Sequence, residues 1–373
     1  MNNGKWTRVF VLVHFPLLIL YLDGEPMKIK TLLTLSFSAL LTVLLSACSP
    51  EPQQIAFEGK TMGTTYHIKY IDDGNTANLP KPEVVQQQLE VLLKQVNNEM
   101  STYQKESQIS RFNQMQQVNT PFPISADFAK VVQEAIQLNQ LTEGALDVSV
   151  GPLVNLWGFG PDKRLNKEPT AEQIAEKALS VGLDKFTLDQ TPALTKKVEG
   201  VYLDLSSIAK GFGVDKLAEH LEQLGLQHYL VEIGGELRGK GNNLKGQPWR
   251  IAIEKPEFAQ GSASQITVPL HNLGMATSGN YRNYFEDEQG NRLSHIIDPK
   301  TLRPISHNLA SITVFAPTTM TADGLSTGLF VLGADKALEI AERENLAIFL
   351  IVKKEQDYET KMSSAFEKLI NQK

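Results

Sequence analysis

Apolar side chains at Val84, Val85, Leu89, Leu92, Leu93 and Val96 recur at helical spacing and predict a helix over residues 82–99, with Pro82 in its first turn. The same spacing over 125–142, with Ser125 placed as N-cap and Gly144 just past the end, predicts a second helix. Residues 170–181 behind Thr170 predict a third. Residues 57–70 instead alternate after a glycine and are rich in Thr and Tyr, which predicts a strand. Beyond residue 200 the pattern shifts to short strands, expected over 201–205, 228–233, 249–253, 266–270, 311–315 and 347–352. Helices are expected from Ser206-Ser207 to Leu224, over 319–332 and over 334–344. Strands and helices do not alternate regularly, so the expected class is α+β (mixed α/β), not a Rossmann βαβ series.

Residues 27–48, MKIKTLLTLSFSALLTVLLSAC, stand apart from this pattern. Lys28 and Lys30 precede an apolar run over 31–45, and the small residues Ser46 and Ala47 follow. That is the layout of a secretory signal, removed before folding. Leu45-Ser46-Ala47-Cys48 resembles a bacterial lipobox, which would make Cys48 the lipidated first residue of the mature chain, anchored through its acyl groups. A normal signal starts at Met27, so residues 1–26 are expected to be a mis-assigned extension. Residues 48–56 then read as a flexible tether, 57–355 as the main folded domain and 356–373 as a C-terminal tail.

Composition narrows the classes. Apolar residues at 42% and charged residues at 21% of 373 place the chain among ordinary globular proteins, long enough for one large domain or two modest lobes. Removing 1–47 takes away Lys5, Arg8, Lys28 and Lys30 against Asp23 and Glu25, so the mature charge falls two units below the −6 of the whole chain. A broad nucleic-acid footprint is not expected on so acidic a chain. Cys48 is the single cysteine, which rules out an internal disulfide framework and any multi-cysteine metal site.

Three segments carry candidate chemistry, and each also has a plain structural reading. Asp204-Leu-Ser-Ser-Ile-Ala-Lys-Gly-Phe-Gly213 is a strand-to-helix junction. Its serines could cap the helix, or its first-turn N–H groups and Lys210 could attract phosphate. In Thr321-Ala-Asp-Gly-Leu-Ser-Thr-Gly328, Asp323 and Thr327 lie one helical turn apart. Their oxygens suit Mg²⁺, or the carboxylate simply favours the helix start. Ser294-His-Ile-Ile-Asp-Pro299 offers His295 as a base, or a strand-end His ahead of a turn at Asp298-Pro299. Gly234-Gly-Glu-Leu-Arg-Gly-Lys-Gly241 matches a P-loop except at Gly241, where Ser or Thr is needed, and reads as a glycine turn.

Together with five further pieces, these segments resemble the ApbE family of FAD:protein FMN transferases. The pieces are T-M-G-T-T-Y (61–66), M-S-T-Y (100–103), G-A-L-D-V-S-V-G-P-L-V (144–154), D-L-S-S-I-A-K-G-F-G (204–213), E-I-G-G-E-L (232–237), A-T-S-G-N-Y (276–281), S-H-I-I-D-P (294–299) and T-A-D-G-L-S-T (321–327), in the family's order. The resemblance implies a T-fold-like, two-lobed domain of sheet and helices. It implies that Met62, Tyr103, Ala145, Leu146, Asp147, Asp204, Lys210 and Ile297 line an FAD site. Ser207, Asp323, Ser326 and Thr327 would hold Mg²⁺, although some relatives carry Asp where this chain has Ser326. His295 and Lys210 would be the catalytic pair. The implied reaction moves the FMN moiety of FAD onto a Ser or Thr hydroxyl of another protein through a phosphodiester and releases AMP. The implied acceptors are periplasm-facing flavin subunits of the Na⁺-translocating NADH:quinone reductase or Rnf type. These favour a lipid anchor on the periplasmic side of the inner membrane. An FAD pyrophosphatase giving FMN and AMP, a non-catalytic FAD-binding lipoprotein and a structural assembly factor are the alternative readings.

Overall fold

The run expected as one strand over 57–70 folds as a hairpin. β1 (Gln53–Thr61) and β2 (Thr64–Asp72) pair antiparallel from Gln53↔Asp72 to Thr61↔Thr64. The two residues between them, Met62 and Gly63, both have positive φ (49° and 74°), as a tight hairpin turn requires. The inward positions shift phase at the turn, from 57, 59 and 61 to 64, 66 and 68, but threonines flank it on both sides, so the residue types alone show one strand. The computed structural model describes residues 51–161, 168–253, 266–279, 284–286, 292–355 and 357–371. The expected extension, signal and lipidated Cys48 lie outside these residues, as do Asn280 and Tyr281.

Eight strands build the main sheet. After β2 come β3 (Tyr229–Ile233), β4 (Glu236–Lys240), β7 (Leu273–Gly279), β8 (Leu309–Ala316), β9 (Ala347–Lys353) and β10 (Tyr358–Met362). The spatial order is β1-β2-β3-β4-β7-β8-β9-β10, and every neighbouring pair is antiparallel. β5 (Trp249–Ile253) and β6 (Ile266–Leu270) pair only with each other. The helices are α1 (Pro82–Met100), α2 (Gln108–Gln114), α3 (Ala126–Leu141), α4 (Gly151–Leu156), α5 (Ala171–Ala178), α6 (Ala209–Gln223), α7 (Thr319–Leu332), α8 (Ala334–Arg343) and α9 (Ser364–Asn371). Ser125 caps α3 and Thr170 caps α5 through a full capping box.

Alternation along each strand sorts the core into two layers. Tyr66, Ile68 and Tyr70 of β2 with Val231 and Ile233 of β3 pack on Val85 and Leu89 of α1 and Leu217 of α6. Further along, Ile312 and Val314 of β8 with Ile348 and Leu350 of β9 pack with α3, α7 and α8. Between those positions Phe315, Phe349 and Ile351 belong to a third cluster with Phe366 of α9, Trp249 of β5 and Leu270 of β6. The α+β class therefore holds. The expected two lobes are two layers on one sheet, because Pro52–Lys373 forms a single compact unit.

Three boundaries move. The tether expected to reach residue 56 ends earlier, since Gln53–Ala56 is paired in β1. The expected tail is structured: β10 extends the sheet, and Phe366 of α9 is fully buried, 5.4 Å from the ring of Phe349. Residues 201–205 are not a strand. Val201, Leu203 and Leu205 are buried in alternation, as the pattern suggested, but Leu203 finds its backbone partners in the side-chain amide of Asn113 at 2.8 and 2.9 Å.

Candidate active site

Two helix starts meet beneath the middle of the sheet, and their contact builds the site. α6 begins at Ala209 with Ile208 as its N-cap and no side-chain cap bond. Neither serine caps it, and Ser206 donates to Asp204 Oδ1 at 2.5 Å from its hydroxyl and 2.9 Å from its N–H. The N–H of Gly211, in the first turn of α6, donates instead to Asp323 Oδ2 on α7 at 2.9 Å. Asp323 is thus a carboxylate at the positive end of α6. It does not cap its own helix. That role belongs to Thr318, which accepts from Thr321 N at 3.1 Å, and to Asp215, which accepts from Thr319 N and Met320 N at 3.0 and 2.8 Å.

Gly211 is required at this crossing. A Cβ there would stand 2.4 Å from Thr319 O and 2.7 Å from Asp323 Cβ. Gly211→Ala is expected to destabilise the fold by about 1–3 kcal/mol, as overpacked sites do, and to push Asp323 out of place. Denaturant unfolding checks this; unchanged stability would mean the helices separate freely.

Lys210, the residue before Gly211, has its ammonium 3.4 Å from Glu236 Oε1 and 3.8 Å from Asp323 Oδ1. Burial opposes its charge, but the two carboxylates overcome that and hold its pKa above the usual lysine range. Burial pushes Glu236 up to about 8; Lys210 counteracts the rise and Asp323 adds to it. Asp323 is likewise raised by burial, against the pull of Lys210 and the Gly211 N–H. Glu236 opens β4 after the glycine turn Gly234-Gly235, whose φ values are 60° and 105°. The P-loop-like segment is therefore the β3–β4 hairpin turn, as its departure at Gly241 suggested.

These side chains open on a cleft of about 350 Å³. Of the residues the sequence singled out, it gathers Tyr103, Ala145, Leu146, Asp147, Asp204, Ser207, Lys210, His295, Ile297, Asp323 and Thr327. Ile297 is buried and pairs with Pro304 in a short hairpin. Asp147 is pushed up by burial and accepts from the Ser149 hydroxyl and N–H at 2.6 and 2.8 Å. Tyr103 is 67% exposed at the mouth, with its hydroxyl 3.4 Å from Phe159 O. Met62 is not in this cleft. It lines a neighbouring cavity of about 1070 Å³ that shares Tyr103, Ser206 and Lys210 with the first.

Ser326 stands apart from the other expected metal ligands. It is fully buried and does not line the cleft. Its hydroxyl donates to Asp323 O at 2.9 Å and lies 2.8 Å from Ser278 Oγ. Gly324-Leu-Ser326-Thr-Gly328 also spells the G-x-S-x-G of a hydrolase elbow, but it lies inside α7 and not at a strand-to-helix turn. The remaining donors are all oxygens: the Asp323 carboxylate and the hydroxyls of Ser207 and Thr327. Lys210 lies beyond hydrogen-bonding distance of Asp323 Oδ1, which leaves that atom available to a cation. Such a set fits Mg²⁺, which takes one or two carboxylates and completes its shell from substrate phosphate and water. No group of three His, Cys, Asp or Glu that could hold a metal ion occurs among the described residues, so hydroxyls would have to complete any site here. Several wall residues carried no expectation, among them Glu236 and Ser278. Glu236 and Ser278 lay inside quoted motifs, but neither has a spacing partner in sequence, and only the hairpin and sheet bring them to Lys210 and Thr327.

A model of the ApbE family matches residues 62–350. The FAD:protein FMN transferase of Haemophilus influenzae is 58% identical over 347 residues, covering 92% of this chain and 99% of that protein. Among solved structures, the flavin transferase ApbE from Vibrio cholerae aligns with a TM-score of 0.79 at 45% identity, over 85% of this chain and 99% of that one. The Pseudomonas stutzeri flavinyl transferase ApbE aligns with a TM-score of 0.79 at 40% identity, over 86% and 98% respectively.

Proposed function

The chain belongs to the ApbE family, and from that premise we propose that it transfers the FMN moiety of FAD to a Ser or Thr hydroxyl of a second protein and releases AMP. The observation that carries this reading is the convergence on one cleft of a buried carboxylate, a charged lysine, hydroxyl donors and an imidazole beside the apolar wall of Ala145, Leu146 and Ile297. That wall suits a flat flavin, with Tyr103 at the mouth as a ring partner. Met62, across Lys210 in the larger cavity, extends the same surface.

The acceptor hydroxyl oxygen attacks the FMN-side phosphorus of FAD. The bond from that phosphorus to the bridging oxygen breaks, and AMP leaves with the oxygen. His295 takes the hydroxyl proton. Lys210 places positive charge where the pyrophosphate oxygens gain negative charge. Asp323, Thr327 and Ser207 would hold Mg²⁺, which when bound supplies further positive charge at the phosphates. Asp204 and Asp147 orient the loops that border the FAD, through their Ser206 and Ser149 contacts.

For its setting, the reading takes Cys48 as a lipid anchor on the periplasmic side of a bacterial membrane, with the inner membrane favoured. Flavin subunits of the Na⁺-translocating NADH:quinone reductase or Rnf type are the acceptors. The test mixes the protein with FAD, Mg²⁺ and a purified acceptor domain, and looks for flavin fluorescence on the acceptor band of a denaturing gel. The expected band vanishes with EDTA and with an acceptor Thr→Ala control. A dark band with free FMN and AMP in solution would make the enzyme a pyrophosphatase. A dark band with intact FAD, repeated across both acceptor types, would leave a flavin-binding lipoprotein.

A further inference from the structure

Glu236 is the buried ionisable group in the cleft wall that the reaction scheme does not use. Its side chain is 5% exposed. Oε1 lies 3.4 Å from the Lys210 ammonium, while Oε2 is buried with no hydrogen-bond partner among the described residues. A half-satisfied buried carboxylate is costly, so something must compensate for it. Lys210 is the one cation paired with it among the described residues, and Lys210 has a second carboxylate, Asp323 Oδ1, at 3.8 Å. The ammonium thus stands between two acids on different elements, one opening β4 and one inside α7. A lysine is a point charge on a flexible four-carbon stem. With Asp323 as its single partner, it would close onto Asp323 Oδ1.

We propose that Glu236 is a positioning residue that holds the Lys210 ammonium off Asp323, leaving Lys210 to face the substrate pyrophosphate and Asp323 Oδ1 to face the cation. This rests on the roles given above to Lys210 and Asp323. Glu236 itself touches neither substrate nor metal, and its whole effect passes through Lys210. Without it, the two groups that should serve phosphate and cation separately would neutralise each other.

The test compares the full chain with Glu236→Gln, Glu236→Asp, Lys210→Met and the double variant Glu236→Gln/Lys210→Met. Three quantities are read: FAD affinity in EDTA, the Mg²⁺ concentration for half-maximal transfer, and the thermal midpoint. Glu236→Gln is expected to weaken metal-free FAD binding and raise the Mg²⁺ requirement, each about tenfold, the coupling usual within one ion-pair network. Glu236→Asp, which keeps the charge but retracts it by one methylene, gives a smaller shift in the same direction. In the Lys210→Met background neither substitution shifts FAD affinity or the Mg²⁺ requirement further. If Glu236→Gln lowers the thermal midpoint enough to spoil the comparison, Glu236→Asp carries the same cycle.

Wild-type FAD affinity and Mg²⁺ requirement in a folded Glu236→Gln would overturn the inference. So would effects that add in the double variant, or a loss of Mg²⁺ response as complete as that of Asp323→Ala, which would make Glu236 a ligand. Wild-type FAD binding by Lys210→Met in EDTA would instead sink the reading of Lys210 itself. An impaired Lys210→Met beside a normal Glu236→Gln would sink only the positioning role.

Discussion

Asp323→Ala is expected to cut FMN transfer by roughly 10³-fold while the chain stays folded, the scale reached when a group that stabilises transition-state charge is removed. The carboxylate has two tasks. Oδ2 ties α7 to the first turn of α6 through Gly211 N at 2.9 Å, and Oδ1 faces the cleft, 3.8 Å from Lys210. Alanine removes both, and it also takes away the single carboxylate in the proposed cation site. Lys210 keeps Glu236 as a partner, so no buried cation is left alone. Asp323→Asn separates the tasks, because an amide oxygen can still accept from Gly211 but carries no charge. Both variants are read by flavin on the acceptor band across an Mg²⁺ titration, with FAD affinity followed in parallel. Transfer near the wild-type rate by Asp323→Ala in Mg²⁺ buffer would refute the metal assignment. Full recovery in Asp323→Asn would reduce the residue to a helix clamp.

His295→Ala is expected to slow the single-turnover transfer by about 10²- to 10⁴-fold, the usual worth of a positioned general base, with FAD affinity retained. His295 lines the cleft from the segment before the Ile297–Asp298 strand. That segment is pinned on both sides: Ile296 N donates to Ser294 Oγ at 3.2 Å, and Ile305 N donates to Ile296 O at 3.1 Å. Its backbone therefore holds when the imidazole is removed. Rapid mixing of the enzyme, FAD and Mg²⁺ with acceptor isolates the chemical step. An unchanged single-turnover rate would remove His295 from proton transfer and leave it as part of the wall.

Much of the local architecture was legible in the sequence, and the reason is local. The bounds of α1, α3 and α7, with the Ser125 and Thr170 caps, follow from side-chain period and from capping groups within three residues of the helix start. The α+β class follows from the irregular order of elements. Asp323 and Thr327 could be paired because one helical turn separates them. What failed depended on a two-residue turn hidden in an alternating run, as at Met62-Gly63, or on a partner far along the chain. The alternation of Val201, Leu203 and Leu205 is real, yet the partner is an asparagine side chain 90 positions away, so no strand forms. Ser326 entered the metal set through the family resemblance. Packing decides its exposure: it is fully buried with its hydroxyl 2.8 Å from Ser278 Oγ, whereas Thr327, 3.2 Å from the same oxygen, lines the cleft.

The chain by itself thus determined most of its helices, its mixed class and the residue types that suit phosphate and a hard cation, since period, capping and donor chemistry act over a few residues. Only the tertiary structure decided which of those residues share a cleft, that Asp323 serves the start of another helix, and that Glu236 stands beside Lys210. Those relations are set by a glycine-tight crossing of α6 and α7 under an antiparallel sheet, and ion pairing falls off over ångströms in space whatever the separation along the chain.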